Sequence, residues 1–108
     1  MELNENETII RKSRATHWKH FEGVGGKLFL TNRRLIFKSH RLNFQPHEEA
    51  IQLEDIISIE AKYSDFVSAK MLISLRNGAI ERYYVPHRKT WVKDIEKAME
   101  GKATGVGP

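Results

Sequence analysis

The chain has no cysteine, which excludes a disulfide framework, a thiolate nucleophile and any cysteine-held metal. No apolar run approaches the roughly 18 residues needed for a membrane-spanning helix. The opening residues MELNENETII carry three glutamates and no basic leader ahead of an apolar stretch, the reverse of a secretory signal. The expected location is therefore cytoplasmic, with recruitment to a membrane surface still open.

Catalytic constellations are missing too. His17 and His20 are three apart in a probable strand, so they point to opposite faces and are poor joint metal ligands. His40 and His47 share one loop but have no carboxylate at a diagnostic spacing. The GVGG cluster lacks the Lys-Ser/Thr pair and following helix of a phosphate-binding loop. No Ser-His-Asp order can be argued from Ser13, Ser39, Ser58 or Ser74. No enzyme, catalytic residue, cofactor or metal site is expected.

What remains is a chain of 108 residues, 40% hydrophobic and 30% charged, the size and make-up of one globular domain. The net charge of +4 hides an asymmetry: from Arg11 to Arg41 nine Lys or Arg face one acid, Glu22, a local +8. Such an excess attracts phosphates, and the bland alternative is a solvated face offset by acids elsewhere in the fold.

Thr8 to Phe21 has neither Gly nor Pro and no helical spacing, which suits a long first strand. EGVGG reads as a turn. KLFLT and RLIFKS alternate apolar and polar residues around TNR, a tight hairpin in which Asn32 tolerates left-handed φ and Thr31 bonds locally. Arg33 is then a turn residue, and Arg34 opens the next strand with its guanidinium free to reach water or a carboxylate. HRLNFQPHEE reads as an ordered loop. AIQLEDIISIEA gives two short strands with a polar corner, and KYSDFVS a loop carrying Phe66. MLISLRNGAIERYYV is a hairpin whose Asn77-Gly78 pair favours a type I′ turn with Leu75 opposite Ile80. Trp91, Ile95, Ala98 and Met99 recur at helical spacing, so one amphipathic helix runs from about His87 to Glu100, with Gly101 at its left-handed stop. Tyr83, Tyr84 and Trp91 are assigned to packing. The division is a flexible N-terminus over 1–7, a domain over 8–100 and a disordered tail over 101–108. Some seven strands and a helix make an α+β domain, mainly β.

GGKLFLTNRRLIF, AIQLEDIISIE and LISLRNGAIERYYV with Trp91 resemble the signature segments of the GRAM domain family, over about Thr8 to Met99. That resemblance implies a pleckstrin-homology-like fold, a bent seven-stranded antiparallel barrel capped by a C-terminal helix. It also implies a non-enzymatic binding module, one that takes phosphoinositides or other anionic lipids, or alternatively a protein-interaction or homo-oligomerisation domain. In lipid-binding pleckstrin-homology domains basic residues stand late in strand one and at two alternate places on strand two. Lys19 and Lys27 fill the first two places here, but Phe29 stands at the last, which weakens a tight inositol-phosphate pocket.

The expected phosphate contacts are Lys19, Lys27, Arg33, Lys38 and Arg41. Val24, Phe44 and Phe66 are the apolar anchors a protein partner would use. Nucleic acid is not an expected partner, because no helix has a basic face and no aromatic array lies on one sheet.

Overall fold

A computed structural model of the chain describes residues 2–19, 22–40, 48–64 and 68–103. Its seven strands are β1 (Ile9–Lys19), β2 (Glu22–Thr31), β3 (Arg34–Ser39), β4 (Glu48–Gln52), β5 (Ile56–Ser64), β6 (Ser68–Leu75) and β7 (Ile80–Tyr84), followed by helix α1 (Arg88–Ala103). They form one open antiparallel sheet in the order β4-β3-β2-β1-β7-β6-β5. The chain meanders outward from β1 to the edge strand β4. It turns a corner through a short 3-10 segment, Leu53–Asp55, to the opposite edge β5, and returns to seat β7 against β1. β1 pairs with β2 along most of its length but with β7 only at Thr16, His17 and Trp18.

Alternation in the strands sends Leu28, Leu30, Leu35, Phe37, Met71, Ile73 and Tyr83 to one face, where all are buried. Trp91 and Ile95 of α1, four apart and so on one stripe of the helix, are buried in the same cluster, with Val92, Ala98 and Met99 packed at its margin. Arg11 ties the helix to β1 through Asp94 at 2.6 Å, and its guanidinium lies over the Trp91 ring. α1 runs past the expected stop, through Gly101 to Ala103.

Two turn readings need correction. Glu22 to Gly26 is no turn but the first half of β2, with Gly23, Gly25 and Gly26 opposite Trp18, Thr16 and Ala15. Gly26 serves close approach instead of positive φ. A Cβ on Gly26 would stand 2.3 Å from the Lys38 carbonyl oxygen and 2.8 Å from Phe37 Cζ, so β3 could not cross β2 there with any side chain present. The second correction concerns Asn77-Gly78. Gly78 has φ +91° and Asn77 is not left-handed, while the Gly78 N–H donates to Leu75 O and the Leu75 N–H to Ala79 O. That is a three-residue loop with a left-handed glycine, and it pairs Ile80 with Ser74 instead of Leu75. Asn32, which tolerates a left-handed φ, does not adopt one.

Candidate functional site

The TNRR turn is built on Thr31. Its Oγ1 accepts from the N–H of Arg33 and of Arg34, both at 3.0 Å, and donates to Glu7 Oε2 at 2.6 Å. The local bonding expected of Thr31 thus closes the turn, without a left-handed asparagine. Asn32 is freed to clamp the chain before β1, accepting from the Thr8 N–H and donating to Asn6 O. Arg34 donates through Nε to Glu7 Oε2 at 2.9 Å and through Nη2 to Glu7 Oε1 at 3.1 Å, while Nη2 also reaches Glu2 O. The Glu7 side chain is wholly buried. Its pKa falls to about 2, chiefly because Arg34 hydrogen-bonds the charged form, and the same pairing raises that of Arg34. Arg34 is therefore a structural residue, anchoring residues that the sequence set outside the domain.

Arg33 stays at the turn. It is half-buried, and its Nε is enclosed without a hydrogen-bond partner. From the Thr31–Arg34 end of the hairpin to the Lys27–Lys38 pair is four residues, roughly 13 Å of strand. The structure does not bring Arg33 together with those lysines.

Lys19 lies on the inner face. Its Nζ pairs with Glu49 Oε1, and Glu49 Oε2 stands 3.2 Å from Nδ1 of His17. His17 is completely buried, its ring stacked on Tyr83 at 4.5 Å and its Nε2 2.7 Å from Glu81 Oε1. The hydrogen bond from His17 lowers the pKa of Glu81, and burial drives that of Tyr83 far up. β4 is three strands from β1 in the sheet, so the Glu49–His17 contact spans the interior of a strongly curled sheet.

The outer face of β1, β2 and β3 holds further cations. Arg14 pairs in register with Lys27, and Lys27 with Lys38, so three basic side chains from β1, β2 and β3 form one row on one face. All three are exposed, and none makes an ion pair among the described residues. Lys12, two residues before Arg14, is exposed on the same face. Phe29 and Ile36 stand beside it, so an apolar band borders the basic row.

Beside that row is a groove of about 550 Å³ whose lining includes Arg14, Thr16, Gly25, His40, Tyr84 and Pro86. It exists because β2 has no side chain to put there: a Cβ on Gly25 would meet no heavy atom within 4 Å. Tyr84 forms a fixed wall. Its hydroxyl accepts from the Trp18 indole N–H at 2.8 Å, leaving the phenolic hydrogen to donate, and its ring carries Lys70 Nζ at 5.9 Å.

Of the expected contacts, then, Lys27 and Lys38 are adjacent, Lys19 and Arg33 are elsewhere, and Arg41 lies outside the described residues. His20, His47, Phe44 and Phe66 lie outside them as well. Val24 is half-buried against the core. Sequence reasoning passed over Arg14, His40 and Tyr84 because EGVGG was read as a turn. With β2 begun at Glu22, the β1–β2 register puts Arg14 opposite Lys27.

Solved structures share this architecture at low identity. The Vps36 N-terminal PH domain superposes with a TM-score of 0.77 at 16% identity, over 95% of this chain and 86% of that one. The C-terminal domain of an unknown protein from Leishmania infantum gives 0.76 at 14%, over 88% and 86%. The hSac2 domain from human phosphoinositide phosphatase Sac2 gives 0.63 at 14%, over 98% and 76%. No curated protein sequence matches the chain. The model of the GRAM domain matches residues 1–103, nearly the full length and every element of the sheet and helix, and the chain belongs to the GRAM domain family.

Proposed function

We propose that the domain is a non-enzymatic binding module that docks on anionic lipid surfaces through the outer face of β1, β2 and β3. The observation that carries this reading is the register-paired row Arg14–Lys27–Lys38, exposed and without ion pairs among the described residues, next to the groove over Gly25. Arg14 offers a planar fork for phosphate oxygens and the lysines offer point charges, while Tyr84 adds a hydroxyl donor at the groove wall. Each basic side chain at an anionic surface contributes about 1 kcal/mol, so the row supplies about 3 kcal/mol. Such binding is weak alone and sensitive to salt. Phe29, beside the row, is placed to rest against the interface instead of closing a headgroup pocket. The test is co-sedimentation with vesicles of phosphatidylcholine alone and with vesicles doped with phosphatidylserine or a phosphoinositide. Pelleting with the anionic vesicles and not the neutral ones supports the reading.

A second reading, a protein-interaction module, is favoured by one feature. β5 is a sheet edge, and Ile57 on it is 60% exposed. A partner strand could add there. Cross-linking that depends on Ile57 and not on Arg14, Lys27 and Lys38 would favour this reading over the lipid one.

A further inference from the structure

We propose that His17, Glu49 and Glu81 form a binding site for a divalent first-row cation of the zinc type, at the mouth of the curled sheet. Ligand atoms of these three residues lie within 4.8 Å of one another, brought together from β1, β4 and β7.

The imidazole decides the geometry. Glu81 Oε1 at 2.7 Å takes the hydrogen on Nε2, which fixes the tautomer and leaves the Nδ1 lone pair as the ring's second polar site. Nδ1 is completely enclosed and has no hydrogen bond. Glu49 Oε2 stands 3.2 Å from it, outside hydrogen-bond geometry. Two acceptors at that spacing repel unless a cation lies between them. The spacing also matches the roughly 3.3 Å edge of a tetrahedron whose metal–ligand bonds are about 2.0 Å.

The charges point the same way. Two carboxylates flank the imidazole, and Lys19 pairs with one oxygen of one of them, Glu49 Oε1. A cation between Nδ1 and Glu49 Oε2, with the Glu81 carboxylate close by and water completing its shell, meets a lone pair on each. One imidazole nitrogen and carboxylate oxygens suit zinc or its neighbours better than magnesium or calcium, which take oxygen. The donors have a route to solvent, since the side chains of Glu49 and Glu81 are 29% and 27% exposed. Tyr83 and Phe37 hold the ring from its other sides, at 4.5 and 5.3 Å.

The experiment is a calorimetric Zn²⁺ titration of chelator-stripped protein, repeated with Mg²⁺ and read alongside NMR of the histidine ring. The expected result is one Zn²⁺ per chain, no Mg²⁺ binding, and a rise in Tm of a few degrees. The Glu49→Gln variant, altered at the part-exposed edge where folding is least threatened, should bind at least about tenfold more weakly. The His17 ring signals should move with saturation. Retained Zn²⁺ binding in Glu49→Gln would place the metal on other histidines and overturn the proposal. So would a doubly protonated His17 ring whose signals Zn²⁺ leaves unmoved, because a proton would then occupy Nδ1 in place of the metal.

Discussion

Arg34 grips Glu7 with two guanidinium nitrogens, at 2.9 and 3.1 Å, across a sequence separation of 27. One of the two adjacent arginines, Arg33 and Arg34, is thus consumed by the fold, and the chain before β1 is fastened to the β2–β3 turn. Breaking a buried pair from one side leaves an uncompensated charge, so Glu7→Gln should destabilise the domain by about 3 kcal/mol at neutral pH. Urea unfolding of the variant and the wild type measures it.

The same carboxylate sets an acid limit. The folded pKa of Glu7 is depressed to about 2 from an ordinary 4.5, and that of Glu81 is depressed as well. For a depressed carboxylate the stabilisation is fully present above the unfolded value and is lost as pH falls through the folded one. The stability gap between wild type and Glu7→Gln should therefore narrow steadily from about pH 4.5 toward pH 2. A gap that stays constant across that range would contradict the assignment.

Thr31 makes three of the turn's bonds with one hydroxyl. Thr31→Val keeps the shape and removes all three, leaving two backbone donors and Glu7 short of partners. The expected loss is about 2 kcal/mol in thermal or urea unfolding, largely restored by Thr31→Ser.

Adjacent glycines should behave oppositely. Gly26→Ala forces a Cβ against backbone atoms of β3 and should lower stability by about 2 kcal/mol or more. Gly25→Leu enters open space, should leave Tm nearly unchanged and should fill the groove beside Arg14. Thermal unfolding of the two variants tests the fold, and vesicle binding of Gly25→Leu, expected to weaken severalfold, tests the groove.

Much of the architecture was legible because it is local. The alternation of Leu28 and Leu30, of Leu35 and Phe37, and the spacing of Trp91 and Ile95 each place a residue in the core without reference to distant chain. Turn geometry was less legible, since Gly26 owes its identity to the backbone of β3 beside it and Gly25 leaves a groove open, and EGVGG carries the same letters as a loop. The charges were hardest to place. Whether a basic residue is free depends on an acid far away, Glu7 for Arg34, Asp94 for Arg11 and Glu49 for Lys19, and no short spacing encodes those meetings. With those three set aside and Arg33 at the turn, Arg14, Lys27 and Lys38 remain on the outer face together with Lys12.

The central claim concerns that row, and the most direct measurement compares vesicle binding of two charge-matched variants. Arg14, Lys27 and Lys38 changed together to Ala should lose about a hundredfold in affinity for anionic vesicles at low salt, the equivalent of about 3 kcal/mol. Lys62, Lys93 and Lys97, exposed on β5 and α1 and changed together to Ala, remove the same charge from elsewhere and should bind nearly as the wild type does. Equal losses in the two variants would reduce the attraction to net charge. No binding by the wild type at either low or near-physiological salt would contradict the lipid-docking account outright.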